Sequence, residues 1–253
     1  MKRFVVGFVA LSACFGVSCA SVPGNDPVLP GFLRGFGNSK YQLSGSRVEF
    51  LVVDIDSHQR TALERVGKGG TVAVRYTGCN MEILPRCEAN GGFYYYESVN
   101  PKDDLVEITD NRSLYAKIPL GAASLESKLR QAGQLFVNTI IVGRYENNIN
   151  PMKYHAFYGV DCHRATHYIQ TRTTGAFVFR TASKGDVSAG AKGWTVQAEA
   201  EWNRNNLAVS RDGNREACEQ STGRHSGPPQ NCSATIGVTL VRIREANGPS
   251  ECE

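Results

Sequence analysis

The sequence lacks the motifs of nucleotide-binding proteins and of the common hydrolases. It has no Gly-x-Gly-x-x-Gly motif, and GKGG at 67–70 has neither the spacing nor the following Lys-Ser/Thr of a phosphate loop. It also lacks a His-Glu-x-x-His motif and a Gly-x-Ser-x-Gly nucleophile elbow. The Ser and His neighbours in DIDSH (54–58) and RHSGPP (224–229) are adjacent in sequence, which is not the geometry of a catalytic triad. We therefore expect a non-catalytic protein without a cofactor.

The chain also lacks a strong charge of one sign and a long apolar run beyond its first twenty residues. Its formal net charge is +4, of which Lys2 and Arg3 contribute two. This leaves about +2 for the rest, whereas nucleic-acid binding requires a concentrated basic face. No later segment approaches the roughly 18 apolar residues of a membrane-spanning helix. Nucleic acid is thus not an expected partner.

Residues 1–20 form a predicted signal peptide. The basic MKR start is followed by the apolar run FVVGFVALSACFGVS and by small residues, which is typical of export. Leu11-Ser12-Ala13-Cys14 is the better match to the lipobox of bacterial lipoproteins. Gly16-Val17-Ser18-Cys19 gives a more usual leader length, and ordinary cleavage after Ala20 is a third alternative.

The parity of the cysteines favours lipidation at Cys19. Acylation of Cys19, or cleavage after Ala20, leaves six of the eight cysteines, whereas acylation of Cys14 leaves an unpaired seventh. Residues 21–40, which include SVPGNDPVLPG, are then a flexible tether. This predicts a protein of the cell envelope, either an outer-membrane lipoprotein or periplasmic, whose lipid anchor joins it to a membrane.

Residues 41–253 are predicted to form a single β-rich domain. Strands are predicted where β-branched and aromatic residues cluster: 48–56, 71–78, 92–99, 134–145, 167–180 and 234–243. Residues 112–133 have helical spacing, and Pro119 divides them into two short helices. Residues 183–231 have the weakest pattern, and GDVSAGAKG (185–193) and DGNREACEQSTGRHSGPPQNC (212–232) are expected to be mainly loop. The predicted fold class is α+β, predominantly antiparallel β with a short inserted helical segment, stapled by disulfides.

Six cysteines are expected to form three disulfides in the oxidising envelope. The simplest of the fifteen pairings joins Cys79 to Cys87, Cys218 to Cys232 and Cys162 to Cys252. Structural zinc is a poorer interpretation of these cysteines, because the paired Cys-x-x-Cys spacing is absent.

Three histidines are candidate ligands for a catalytic zinc ion. His163 and His167 are four residues apart, and His155 lies eight residues before His163. A catalytic zinc site needs three protein ligands, and Asp161 could contribute a carboxylate. A zinc-dependent envelope hydrolase is therefore one alternative function. The simpler interpretation is that His167 is a half-buried strand residue and that His163 is solvated.

The Thr166-His167-Tyr168 triplet, followed after six residues by Gly175, is similar to the signature of the membrane attack complex/perforin family. Tyr158-Gly159 lies upstream, but Ala165 and Ala176 replace two glycines of the signature. The resemblance implies a pore-forming protein that unfurls two helical clusters into membrane hairpins. Because the chain after residue 180 is polar and glycine-rich, we expect no second hairpin.

A broader resemblance covers most of the chain after the leader. It rests on GCNMEILPRC (78–87), LYAKIPLGAASLE (114–126), CHRATH (162–167) with GAF (175–177), and GNREAC…PPQNC (213–232). These segments resemble envelope lipoproteins of myxobacteria and their relatives, a group without an established activity. The resemblance implies location and disulfides but assigns no functional residue.

The aromatic run from Phe93 to Tyr96 is the remaining candidate for a binding surface. Its side chains alternate between the two faces of a strand, so about two of them could face solvent, although packing into the core is the favoured alternative. Exposed aromatic residues often mark a surface for a partner protein or a glycan. Together these features favour a lipid-anchored envelope protein with a binding or structural role, and a pore-forming protein is the first alternative.

Overall fold

A computed structural model describes residues 47–68, 70–78, 80–183, 194–205 and 207–243 of this protein. The predicted α+β class is confirmed, with a mainly antiparallel sheet and short helices. The strands are β1 Arg47–Leu51, β2 Ala73–Tyr76, β3 Met81–Ile83, β4 Glu88–Ala89, β5 Tyr94–Ile108, β6 Gly133–Asn147, β7 Phe157–Tyr158, β8 His167–Ser183, β9 Ala208–Asp212 and β10 Ala234–Arg242. The helices are α1 Ser57–Lys68, α2 Asn111–Lys117, α3 Ala122–Ala132, α4 Val196–Arg204 and α5 Arg215–Glu219. Within these ranges no helix has the length and apolarity needed to span a bilayer.

Strand β8 is the centre of the main sheet. It is 17 residues long, and every residue except Thr181 and Ser183 is buried. One edge of β8 pairs with β10 and then with β9, and the other edge pairs with β2 and then with β6. Strand β5 extends the sheet beyond β6, and β1 extends it beyond β10. Both edges of β8 are therefore hydrogen-bonded, and both of its faces are covered.

The two faces of the far half of β8 belong to two different cores. Phe177 and Phe179 point into a core that also contains α2 and α3. Ala176 and Val178 point into a core that contains α4 and the Cys218–Cys232 disulfide. Because neighbouring residues of a strand face opposite sides, the two groups of helices lie on opposite faces of the sheet.

The long strands share an irregular level near Gly175. The register shifts between Ile141 and Gly143 in the β6–β8 pair, and a β5–β6 shift and a β8–β10 shift lie at the same level. A Cβ atom on Gly175 would lie 1.9 Å from the carbonyl oxygen of Ile140, so only glycine allows this close approach. Bulges of this kind bend the strands that carry them, and here they coincide across the sheet.

The sequence predicted helices α2 and α3 but not α1, α4 and α5. The two short helices around Pro119 are confirmed as α2 and α3, and a left-handed Gly133 ends α3. Residues 183–231 include α4, β9 and α5. Of the two segments expected to be loop, 212–232 is mainly loop apart from α5, and 185–193 lies outside the described residues. Helix α4 has a Thr195 cap and buries Ala198 and Trp202, an apolar spacing too sparse to stand out in the sequence.

The disulfides confirm one predicted pair and correct the other two. Cys218 pairs with Cys232 as expected, but Cys87 pairs with Cys162. Pairing of β4 with β7 brings these two cysteines together although 75 residues separate them. The predicted Cys79–Cys87 and Cys162–Cys252 bonds are therefore wrong. Cys79 and Cys252 lie outside the described residues, as do the predicted signal peptide, Cys14, Cys19, Ala20 and the tether.

The two disulfides should differ in their contributions to stability. Separations of 75 and 14 residues predict about 4–5 and about 3 kcal/mol in the chain-entropy model. Urea unfolding should therefore show a larger loss for Cys87→Ala/Cys162→Ala than for Cys218→Ala/Cys232→Ala. Peptide mapping without reduction should recover the linked Cys87 and Cys162 peptides; a Cys79–Cys87 peptide would contradict the structure.

Candidate functional site

His167 is a buried residue of β8 and not a free metal ligand. Its ring meets the Tyr76 ring edge-on, with 5.4 Å between centroids, and its Nδ1 lies 2.9 Å from the Thr166 hydroxyl. Burial, with a smaller effect from Arg242, lowers the pKa of His167 to about 4. The imidazole is therefore neutral at physiological pH and serves packing at the start of β8.

The other two histidines do not join His167. His163 is exposed, and its Nδ1 donates to the Val160 carbonyl oxygen at 2.9 Å. His155 is exposed in a short 3₁₀ turn, Tyr154–Ala156. Over the described ranges no group of three or more His, Cys, Asp or Glu side chains is arranged to hold a metal ion. The zinc hypothesis thus loses the convergence of His155, His163 and His167 that it requires.

Asp161, the fourth candidate ligand, is an ion-pair partner of Arg86. Both carboxylate oxygens accept hydrogen bonds from the Arg86 guanidinium at 3.0 Å. These bonds lower the pKa of the Asp161 carboxyl. The neighbouring Cys162 is oxidised in its bond to Cys87. The segment that suggested metal ligands therefore fastens the start of β8 to the β3–β4 connection.

The prediction of alternating aromatic residues is confirmed. Phe93 and Tyr95 are 58% and 41% exposed, while the Tyr94 and Tyr96 hydroxyls donate to the carbonyl oxygens of Ile169 and Val142. Tyr154, Tyr158 and Val160 are also exposed apolar residues, on the segment that pairs with β4. We call these five residues the exposed aromatic surface: Phe93, Tyr95, Tyr154, Tyr158 and Val160.

Two helical segments leave the same end of the sheet. Helices α2 and α3 connect the end of β5 to the start of β6, and Ile108 pairs with Leu135 at that point. Helix α4 precedes β9, and β8 ends at Ser183 opposite Gly133. The ends of β5 and β8 and the starts of β6 and β9 therefore lie together. Helix α4 thus provides a second helical segment after residue 180.

A close contact at Asp54 holds the first helical segment. The Ser124 hydroxyl donates to Asp54 Oδ2 at 3.4 Å, and a Cβ atom on Gly121 would lie 2.0 Å from the same oxygen. Burial raises the pKa of Asp54. Only glycine at 121 lets the carboxylate approach the start of α3. The Tyr115 hydroxyl donates to Glu126 at 2.7 Å and joins α2 to α3.

A buried arginine holds the second helical segment. Arg180 is 1% exposed, and its guanidinium lies 4.8 Å from the Phe136 ring and 4.3 Å from the Trp202 ring. Its Nε also donates to Asn138 Oδ1 at 3.2 Å. The charge therefore sits between the sheet and α4, in a contact that sequence analysis missed. Because the contact joins residues of different elements, no local sequence pattern predicts it.

No family model, curated protein or solved structure matches this chain. The resemblances to perforin-like proteins and to myxobacterial lipoproteins therefore stay predictions from the sequence.

The neutral state of His167 predicts a specific dependence of stability on pH. Because its folded pKa of about 4 lies below the ordinary 6.5, the unfolded chain binds more protons between these values. Stability should fall by about 3 kcal/mol from this group as pH drops from 7 to below 4. His167→Phe keeps the ring contact with Tyr76 but has no group to protonate. Its free energy of urea unfolding should therefore fall by about 3 kcal/mol less than that of the wild type over the same pH range. An equal loss in both proteins would mean that His167 is not buried in its neutral form.

Proposed function

We propose that this chain is a lipid-anchored protein of the cell envelope that opens membranes and catalyses no reaction. The predicted export leader and the buried disulfides support the location, since disulfides persist in oxidising compartments. The observation that carries the pore-forming function is the position and pattern of the two helical segments. Each segment joins neighbouring strands of one sheet, at one end, and has an alternation of apolar and polar residues that would suit extended strands.

The alternation in the first segment spans both of its helices. Leu114, Ala116, Ile118 and Leu120 alternate with Ser113, Tyr115, Lys117 and Pro119, and Leu125, Ser127 and Leu129 alternate with Glu126, Lys128 and Arg130. As helices, these residues bury one side against the sheet. As extended strands, the same residues have one largely apolar and one largely polar face.

The alternation recurs in α4. Val196, Ala198, Ala200 and Trp202 alternate with Gln197, Glu199, Glu201 and Asn203. Ala198 and Trp202, which are buried in the α4 core, fall on the apolar side of this alternation. Both segments thus carry two periodicities, one for the docked helix and one for a strand in lipid.

The length of the first segment fits a hairpin across a bilayer. It comprises residues 109–132, between the end of β5 and the start of β6. A strand crosses the hydrocarbon core in about 9–11 residues, so each half of the segment suffices. Pro119 and Gly121 lie at its middle, where a turn is needed. The hairpin would continue β5 and β6 without changing their register.

Release of α2 and α3 from the sheet would move their buried apolar side chains from the protein core into lipid. Leu114, Ile118, Leu125 and Leu129 are buried against the sheet. Each such side chain gains roughly 1.5–3 kcal/mol from burial, and this gain is recovered in lipid. In water the same release would expose them, so the docked helices are favoured until a membrane is present.

Locking the first segment should abolish pore formation. In Asp54→Cys/Gly121→Cys the two Cβ atoms would start 2.9 Å apart, close to the about 3.5–4.5 Å of a disulfide. We expect the mature lipidated protein to release dye from vesicles, and the oxidised double variant to do so at least tenfold more slowly. Mild reduction should restore release, because the native disulfides are buried and resist it.

Two controls make the locking experiment specific. Asp54→Cys and Gly121→Cys alone report the effect of each substitution, and wild type with the same reductant reports damage to native disulfides. Release from the oxidised double variant at the unlocked rate would refute the hairpin mechanism. Absence of release from wild type at every protein concentration would refute pore formation itself.

Environment-sensitive labels can distinguish a strand from a helix in the membrane. Ser127 and Ala200 are exposed in the docked helices but fall on the apolar side of the alternation. Their neighbours Lys128 and Glu201 are also exposed and fall on the polar side. With Cys79 and Cys252 changed to serine, labels at single cysteines should enter lipid at 127 and 200 and stay in water at 128 and 201. The same emission at all four positions would contradict the proposal.

A further inference from the structure

The exposed aromatic surface contains five of the six exposed large apolar residues in the described chain; the sixth is Leu105. Val160 is 65% exposed, Phe93 58% and Tyr158 48%. Isolated apolar residues on a surface need no explanation, but a group on one part of the fold marks a contact.

Two segments that are hydrogen-bonded to each other carry this surface. The Phe93 amide donates to Asn148 Oδ1 at 2.8 Å, and the Asn90 amide donates to the Ala156 carbonyl oxygen at 2.8 Å. Strand β4 pairs with β7, and the Cys87–Cys162 bond closes the layer. The surface is therefore part of the rigid fold, which favours binding without reordering of the chain.

The chain enters the sheet at the same end. Arg47, the first described residue, pairs with Val241. Val241 packs in one core cluster with Cys87, Phe157 and Cys162, directly beneath the β4–β7 layer. The helical segments lie at the other end of the sheet, beyond Ile108 and Ser183. The predicted lipid at Cys19 is thus connected to the end that carries the exposed aromatic surface.

We propose that the exposed aromatic surface lies in the interfacial layer of the membrane that holds the lipid anchor. The inference rests on the proposed anchor at Cys19 and assigns that membrane as the partner of this surface. Aromatic rings with a polar tip concentrate at the level of lipid headgroups, where the ring meets acyl chains and the hydroxyl meets water. Three of the five residues are tyrosines. Beside them Lys153 is exposed, Arg86 is paired with Asp161, and Glu88 accepts a hydrogen bond from the Tyr158 hydroxyl.

This orientation gives the two ends of the sheet different partners. The aromatic end rests on the anchoring membrane, and the helical segments at the opposite end point away from it. They are then presented to a second, facing bilayer. The protein would act between two membranes, so the dye it releases would come from vesicles that face the one holding its anchor.

Tryptophan substitution with brominated lipids tests the surface directly. Phe93→Trp and Val160→Trp report on the surface, and Leu105→Trp is the matched control, because Leu105 is exposed on β5 three residues before the helical end. The lipidated proteins are placed in phosphatidylcholine vesicles with and without bromine on the acyl chains. The fluorescence of the parent, whose Trp194 and Trp202 are buried, is subtracted from that of each variant. The remaining emission of the tryptophan at 93 or 160 should fall about twofold in brominated lipid, whereas that of the tryptophan at 105 should not.

The outcomes separate this inference from the proposed function. Equal quenching at all three positions, or at none, would overturn the membrane assignment. Protection of Phe93→Trp from a soluble quencher by cell-wall glycan and not by vesicles would overturn it in favour of a glycan. Dye release that persists without quenching would refute the surface alone. Quenching at 93 and 160 without dye release under any condition would support the surface and refute the pore.

Discussion

The backbone pairing of β8 is the constraint on which the rest of the structure depends. Four strands share its two edges, so it organises the main sheet, the β4–β7 layer at its start and the helical segments at its end. Its side chains are buried on both faces, which explains why threonines and two arginines lie inside the molecule. Buried polar groups of this kind need partners, and Arg180 finds Asn138 and two aromatic rings.

The two ends of the sheet are built by different means. At the start of β8 a disulfide, the Arg86–Asp161 ion pair and a buried neutral histidine fasten the layer that bears exposed aromatic residues. At the other end, helices are held by apolar packing, one carboxylate contact and a stacked arginine. The Cys87–Cys162 bond fastens the first end covalently, whereas helices α2, α3 and α4 at the other end are held by noncovalent contacts. The hairpins proposed above would need this difference, because only the helical end would change.

Local patterns predicted the parts of the fold that local energetics control. The break at Pro119 and the alternation from Phe93 to Tyr96 were correct, and the predicted strands are present, although the one expected at 48–56 ends at Leu51. Helices α1, α4 and α5 were not predicted, because their few apolar residues are recognisable as a helical face only when they pack on the sheet. The histidines at 155, 163 and 167 were candidates by spacing, but the bend into β8 separates them. The Cys87–Cys162 bond was not predicted, because the pairing of β4 with β7 brings these cysteines together, whereas the prediction relied on short spacing along the chain.

The amino-acid sequence by itself determined the class of fold and the period of its strands, because these follow from the preferences of neighbouring residues. The tertiary structure decided which cysteines meet, which histidine is buried and which end of the sheet carries both helical segments. Those features join residues that are far apart along the chain. Their energies arise from burial and from contacts that exist only when β8 has paired on both edges.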